Sequence, residues 1–140
     1  MAIELVPLCD VRVQLKPPIE VGPAVFGSRM IFEVASIELE GDRLRGTMEG
    51  VASADWLLVG PAGEASLDVR ATVRTHDGAI VYAAYYGRCT FTGTFPVTIY
   101  VAPRFETSDE RYRWLNYVQA VGKGVVDEKL GLDYEWYEMR

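Results

Sequence analysis

The sequence predicts an all-β protein: an antiparallel β-barrel of about nine strands with at most one short helix. Three observations support this fold class: a long stretch of apolar and polar residues alternating at period two, frequent Gly and Pro turn signals, and almost no sustained helical periodicity. A sheet with that many strands must close or stack to remove its edges. With 140 residues the chain can bury its own core, so we expect residues 1–140 to form a single barrel domain.

The stretch from Leu67 to Arg88 predicts a central hairpin, because Asp77-Gly78 divides its alternating pattern. A two-residue loop there would place Arg70 opposite Tyr85 and put Asp68 on the same face. The other face would carry Leu67, Val69, Ala71, Val73, Ile80, Tyr82, Ala84 and Tyr86. A three-residue loop would break this division, since a slip of one residue moves every side chain to the opposite face.

The remaining strands are delimited by turn residues. Pro17-Pro18 ends the first strand because proline has no N–H donor, and Pro23 and Gly27 bracket a loop. Asp55-Trp56 interrupts the alternation ahead of a short strand. The predicted strands are Leu5–Leu15, Met30–Leu39, Arg45–Ala54, Leu57–Val59, a set within Thr90–Ala102, and Leu132–Met139.

Between Pro103 and Gly122 the pattern changes. Thr107 and Glu110 have the spacing of a capping box, which predicts a short helix near Ser108–Arg113. The residues that follow fit either a helical stripe or a strand, and periodicity alone does not decide between the two.

Composition and charge exclude several classes of protein. Hydrophobic residues make up 49% of the chain and charged residues 24%, which is typical of a globular protein. The net charge of −6 argues against a nucleic-acid partner, which needs clustered Lys and Arg. No apolar run approaches a membrane span of about 20 residues, and no secretion signal is present. We therefore expect a cytoplasmic protein without a membrane partner.

The sequence also lacks the residues that most cofactors require. Cys9 and Cys89 are isolated in apolar surroundings, so we expect reduced, buried thiols. The single histidine, His76, lies in the predicted turn, where a catalytic role is disfavoured. No metal cluster, phosphate-binding glycine loop or nucleophile elbow is present, so we expect no cofactor and no metal.

An ordered series of short motifs resembles the DUF3237 family, also called UPF0311, over nearly the whole chain. The motifs are Gly-Ser-Arg29, Asp55-Trp56, Leu67-Asp68-Val-Arg70, Thr75-His-Asp77-Gly78, Gly87, Pro103-Arg-Phe105-Glu106-Thr107 and Trp114-Leu115-Asn116. Two positions depart from the pattern: Ala71 stands where Tyr is expected, and His76 where Asp is usual. The resemblance implies a β-barrel, favours a strand for Leu115–Val126, and implies no particular reaction.

Two interpretations of the hairpin stay open at this point. Either its apolar face packs into the core, or its Asp68 and Arg70 face lines a ligand cavity, as a small barrel can hold one ligand. Under the second interpretation the catalytic candidates are Asp55, Asp68 and Arg70. The candidates for substrate binding are Arg29, Trp56, Tyr85, Trp114 and Asn116.

Three functional classes follow. The first is an enzyme that moves protons, as an isomerase, cyclase or hydratase does, on an apolar, ring-bearing small molecule without metal or nucleotide. The second is a non-catalytic ligand-binding barrel. The third is a structural protein that forms oligomers. Tyr134, Trp136 and Tyr137 cannot all face one core at period two, so a homodimer is expected to cover the outer side of that strand.

Overall fold

A computed structural model describes residues 1–140 and contains eleven β-strands and one 3₁₀ turn, Arg113–Tyr117. No helix has the length and apolar character needed to cross a membrane. The strands are β1 Leu5–Leu15, β2 Ile19–Ala24, β3 Gly27–Glu40, β4 Gly46–Met48, β5 Ala54–Val59, β6 Glu64–Thr75, β7 Ile80–Thr90, β8 Val97–Val101, β9 Arg104–Glu106, β10 Ala120–Val126 and β11 Gly131–Met139.

Eight of these strands close into an antiparallel barrel in the order β1-β3-β5-β6-β7-β8-β10-β11, with β11 pairing back to β1. The other three are short additions: β4 bridges β3 and β6, while β2 pairs with β3 and β9 pairs with β7. Closure leaves no open edge on the ring itself. The predicted all-β barrel with at most one short helical segment is confirmed.

The two ends of the barrel differ. At one end, here called the Phe95 end, the turns after β5, β7 and β10 meet, and the loop 91–96 carries Phe91 and Phe95. The opposite end, here called the Leu115 end, is covered by the segment after β9, and Leu115 is fully buried there. Leu44, from the connection between β3 and β4, is 1% exposed and packs into the same core. The Leu115 end is therefore sealed by buried side chains.

The register of the central hairpin differs by one residue from the predicted one. Arg74 pairs with Ile80 and Arg70 with Ala84, so Tyr85 pairs with Val69 instead. The loop contains three residues between Thr75 and Ala79, and Gly78 has φ +96°. This is a common three-residue hairpin with a left-handed glycine. The Thr75 hydroxyl also accepts the Ala79 amide proton at 2.8 Å, which holds the longer loop.

Several predicted boundaries were wrong. Asp55 and Trp56 lie inside β5 and do not interrupt it. Within the predicted Arg45–Ala54, the strand is limited to Gly46–Met48, and Ala54 already begins β5. β2 was missed, because Pro18, Gly22 and Pro23 gave its sequence the composition of a loop.

The segment between β9 and β10 was predicted only in part. The short helix near Ser108–Arg113 is displaced to the 3₁₀ turn at Arg113–Tyr117, and the Thr107 hydroxyl instead accepts the Asp109 amide proton in a local turn. Of Leu115–Val126, only the part that forms β10 is a strand.

The aromatic residues of β11 divide between the two sides of the sheet. Tyr134 and Trp136 are buried in the core, and Tyr137 lies outside, where its hydroxyl donates to Glu135 at 2.9 Å. The chain itself therefore provides a polar partner for Tyr137 on the outer side of β11, where a homodimer was expected to cover the strand. The homodimer stays a prediction.

Candidate functional site

The central hairpin turns its apolar face inward. Leu67, Val69, Ala71 and Val73 are all buried in the core, together with Val81 and Ala83 from the facing strand. The one-residue shift in register also exchanges two tyrosines: Tyr85 is 8% exposed inside the barrel, whereas Tyr86 is 64% exposed outside it. Of the two interpretations left open by the sequence, the first describes the hairpin.

Asp68 and Arg70 therefore do not line the interior, which corrects the hypothesis that they form a catalytic pair inside the barrel. The guanidinium of Arg70 lies over the Trp56 ring, 4.7 Å from its centroid. Arg29 donates a hydrogen bond from Nη1 to the Trp56 carbonyl oxygen at 2.9 Å. These side chains form a cluster on the outside of β3, β5 and β6, where water can reach them.

Trp114 and Asn116 do not share a face, because a 3₁₀ turn replaces the strand predicted for them. Trp114 is half-buried against the edge of the core, whereas Asn116 is exposed. Arg43 covers the Trp114 ring, with its guanidinium carbon 5.0 Å from the centroid. The Asn116 side chain accepts the Thr107 amide proton at 2.9 Å and donates to the Thr107 carbonyl at 2.8 Å. The two side chains thus have separate partners, and the shared face predicted for them does not form.

Asp55 is the one candidate carboxylate inside the barrel. Its strand register aligns it with Phe32 on β3 and Val69 on β6, both of which face the core, and it is 9% exposed. The backbone ladder between β5 and β6 has no bridge opposite Asp68. The Asp55 Oδ1 atom accepts the Asp68 amide proton there at 3.0 Å, so the carboxylate completes the hydrogen bonding of the sheet.

Burial raises the pKa of the Asp55 carboxyl to about 6. Desolvation is the largest cause, because it penalises the charged form, and the negative charge of Asp68 acts in the same direction. The hydrogen bond from the Asp68 amide and the positive charge of Arg29 act against them. A carboxyl with this pKa can both accept and release a proton near neutral pH.

Asp55 borders an apolar cavity of about 40 Å³ near the Phe95 end. Phe91 and Phe95 close this cavity from the loop, with their rings edge-on and their centroids 6.2 Å apart. The Cys89 thiol also lines it, and burial followed by the charge of Asp55 raises its pKa to about 11. The full lining consists of Leu15, Phe32, Asp55, Leu57, Leu67, Cys89, Phe91, Phe95, Val97, Ile99, Val126 and Leu130.

A layer of aromatic rings lies beside Asp55 and was not predicted as part of a site, apart from Tyr85. Tyr85 meets Tyr134 and Trp136 edge-on, with centroids 6.0 and 5.5 Å away. Gly124 and Gly122 on β10 pair with Tyr134 and Trp136, and their lack of a side chain lets the two rings lie against the strand. The signal in the sequence was the repeat Gly122-Lys-Gly124 opposite two aromatic residues of the next strand.

The largest depression on the molecule, about 980 Å³, lies outside the barrel and is lined mainly by charged and polar residues. Several of these charges are paired across strands, as in Arg12 with Asp133 at 3.1 Å and Arg74 with Glu49 at 2.9 Å. Exposed pairs of this kind are strongly solvated. The depression offers no desolvated catalytic group, so the interior around Asp55 is the stronger candidate site.

Comparison with known proteins identifies the family. The sequence profile described as protein of unknown function, DUF3237, matches residues 3–139. The chain belongs to the DUF3237 family. A search of curated proteins finds none that matches this DUF3237 chain.

Solved structures similar to this DUF3237 protein share its barrel. A β-barrel-like protein from Acinetobacter baumannii AYE is 28% identical with a TM-score of 0.89, covering 100% of this chain and 98% of its own. A protein of unknown function from Clostridium acetobutylicum is 20% identical with a TM-score of 0.91, covering 100% and 99%. An enzyme from Penicillium herquei is 22% identical with a TM-score of 0.74, covering 98% and 93%. The last two likenesses concern the fold alone.

The geometry of this DUF3237 barrel limits the chemistry it can perform. No three His, Cys, Asp or Glu side chains come together in an arrangement that could hold a metal ion. The interior instead offers one carboxyl that can exchange a proton near neutral pH and two buried phenols, within an otherwise apolar enclosure. This set suits the movement of a proton on an apolar molecule.

Proposed function

We propose that this protein is an enzyme that moves a proton on an apolar, ring-bearing small molecule, with Asp55 as the general acid and base. The observation that carries the proposal is the location of Asp55: its carboxyl is buried beside an apolar cavity, and its pKa is raised to about 6. A base in such surroundings is more reactive than one in water, because it has lost most of its hydration. The related fold of the Penicillium herquei enzyme is consistent with catalysis in a barrel of this kind.

The ligand must displace part of the interior. A cavity of about 40 Å³ is much smaller than the ~150 Å³ apolar cavity that holds a benzene ring in an engineered protein. The half-buried Phe91 and Phe95 rings occupy the space next to it, and they are carried by a loop and not by a strand. An aromatic ligand can take the place of these rings, replacing one set of apolar contacts by another.

The test uses a probe that reports a desolvated carboxylate base without knowledge of the natural substrate. A base removes a proton from carbon in 5-nitrobenzisoxazole, its N–O bond breaks, and a coloured cyanophenolate forms. We expect the protein to accelerate this reaction, with a rate that rises as pH passes through about 6. Asp55→Asn keeps an oxygen for the Asp68 amide and should abolish the acceleration.

Asp68→Asn is the matched control. It alters a carboxylate on the outside of the barrel and leaves the Asp68 amide bond to Asp55 intact, so most of the acceleration should remain. The opposite result, in which the Asp55→Asn protein reacts as fast as the original, would refute Asp55 as the base. Tight binding of aromatic probes without any such reaction would favour a binding barrel instead.

A further inference from the structure

The hydroxyl of Tyr134 is buried without a hydrogen-bond partner. The residue is 2% exposed, and no hydrogen bond of normal geometry involves this hydroxyl, although the Tyr85 phenol is close enough to interact with it. Native proteins rarely leave a buried hydroxyl unsatisfied unless water, an ion or a ligand completes its bonding. The hydroxyl therefore retains hydrogen-bonding capacity for a ligand in the centre of the barrel.

The ring contacts of Tyr134 fix the direction of this hydroxyl. Its Cδ1 and Cε1 atoms lie against Gly124, where a Cβ would come within 2.4 and 2.8 Å of them. The hydroxyl consequently projects past Gly124, on the side where Tyr85 stands with its ring centroid 6.0 Å away. The charges of Asp55 and Cys89, which both line the cavity, act on the Tyr134 phenol. Tyr134 itself is not part of the cavity lining, but Gly124, on which its ring lies, pairs with Ile99, which lines the cavity. The Tyr134 ring therefore lies next to the cavity.

The protonation states of the neighbouring groups complement each other. Burial, then the neighbouring Tyr85 phenol and then the charge of Asp55 raise the pKa of Tyr134 well above its ordinary value, so the phenol stays protonated. The Tyr85 pKa is raised for the same first reason. Asp55, by contrast, ionises near pH 6. The site therefore combines a carboxylate that accepts a proton with two phenols that donate hydrogen bonds.

Two other buried polar atoms without partners do not share this arrangement. The indole of Trp136 lies against Gly122, so its Nε1 atom faces the backbone of β10. The Ser53 hydroxyl belongs to the connection ahead of β5. The Tyr134 hydroxyl belongs to a ring that packs on Tyr85, which the strand register places in the same interior layer as Asp55.

We propose that the ligand of this barrel is a cyclic, unsaturated ketone whose oxygen accepts a hydrogen bond from the Tyr134 hydroxyl, with the Tyr85 hydroxyl beside it. This inference rests on the function proposed above and narrows its substrate class to molecules with an acidic C–H next to a carbonyl carbon. An aspartate base opposite a phenol donor is an effective pair for this chemistry, because the donor meets the oxygen on which negative charge develops.

The reaction balances within the site. The Asp55 carboxylate removes a proton from the carbon next to the carbonyl, the C–H electron pair forms a C=C bond, and the carbonyl pair moves onto oxygen. Tyr134 donates its hydrogen bond to the resulting enolate oxygen. Protonated Asp55 then returns the proton to another carbon of the conjugated system, which restores the C=O bond. The net change is an isomerisation, and both the carboxylate and the phenol end as they began.

The test measures the binding of 4-nitrophenol, which is yellow only as the phenolate and imitates an enolate. Asp55→Asn imitates the protonated aspartate, so this variant should bind the probe as the phenolate. Adding Tyr134→Phe to the Asp55→Asn variant keeps the aromatic ring against Gly124 and removes only the hydroxyl donor. The affinity for 4-nitrophenolate should then fall about tenfold or more. Tyr86→Phe, made in the same background, removes an exposed hydroxyl on the outside and should leave affinity unchanged.

Two results would overturn the oxygen site: no phenolate bound by the Asp55→Asn protein, or equal affinity with and without the Tyr134 hydroxyl. If Tyr134→Phe fails to fold, Tyr85→Phe in the same background tests the neighbouring donor, and the same weakening is expected. Failure here is distinct from failure of the proposed function, which depends on whether Asp55→Asn abolishes the benzisoxazole reaction of the otherwise unchanged protein.

Discussion

Asp55 occupies a position at which a neutral side chain would be more stable. Its folded-state pKa of about 6 exceeds the ordinary 3.8, so the folded protein binds a proton more tightly than the unfolded chain does. Below about pH 4 both states are protonated and nothing is lost. Between pH 4 and pH 6 the stability falls, by an amount on the order of 3 kcal/mol from the difference in pKa.

Asp55→Asn should remove this loss, since the amide stays neutral and keeps an acceptor for the Asp68 amide. We expect urea denaturation to show a stability advantage for the variant over the original protein that grows from pH 4 to pH 7. Asp68→Asn should change stability by less than about 0.5 kcal/mol at both pH values. An advantage of Asp55→Asn that is the same at pH 4 and pH 7 would contradict a buried, titrating carboxyl.

Arg70 contacts the aromatic ring of Trp56 and not a carboxylate. Its guanidinium stacks on Trp56 at 4.7 Å in an exposed position, and cation–π contacts there contribute about 0.5–1 kcal/mol. Arg70→Ala should therefore lower stability by less than about 1 kcal/mol in urea. Arg74→Ala, which removes an exposed pair with Glu49, should cost a similar amount. A loss of several kcal/mol for Arg70→Ala alone would require a buried charge pair.

At the scale of elements, two glycines of β10 pair with two aromatic residues of β11: Gly122 with Trp136 and Gly124 with Tyr134. A Cβ added to Gly124 would lie 2.4 Å from Tyr134 Cδ1, and the ring cannot retreat far because it packs on Tyr85 and Trp136. We expect Gly124→Ala to lower stability by about 1–3 kcal/mol through overpacking. Thermal denaturation measures this loss. Val125→Ala, which alters the neighbouring residue on the outer face of β10, is the control.

An element could be predicted from the sequence where its own residues carried the signal, and was missed where a contact with another residue decided it. β1 matched its predicted bounds because Cys9–Leu15 alternates up to Pro17, even though a bulge between Pro7 and Cys9 breaks the alternation earlier in the strand. The hairpin register was missed by one residue, since Asp77-Gly78 suits a two-residue loop as well as a three-residue one. The hydrogen bond from the Ala79 amide to the Thr75 side chain decides between them, and no alternation pattern contains that information.

The candidate site was predicted only in part for a similar reason. Asp55 broke the alternation and was taken to interrupt a strand, but its carboxylate bonds to the Asp68 amide of the next strand, a contact 13 residues away. The same one-residue error placed Tyr85 on the face of Asp68 and Arg70, and Tyr86 on the apolar face. Tyr134 could not be assigned, because its role depends on Gly124, which becomes its neighbour only after β10 and β11 pair.

At the scale of the whole molecule, the two ends of the barrel should respond differently to truncation. Phe95→Ala opens the loop above the cavity, so we expect the benzisoxazole reaction to become several-fold faster. Leu44 is 1% exposed and packs into the core at the Leu115 end. Leu44→Ala should therefore lower the free energy of unfolding by about 2–5 kcal/mol without accelerating the reaction. Rates measured where both variants are folded would show this contrast, and equal rates would place the entrance elsewhere.

Because the Leu115 end of the barrel is sealed, the Phe95 end is the one route to its interior. Under the proposed function, a molecule that enters past Phe91 and Phe95 must leave by the same route, so product should inhibit competitively with substrate. A second reactant cannot come from the opposite side while the first is bound. The shape of the molecule therefore favours rearrangements of one molecule at a time over the joining of two.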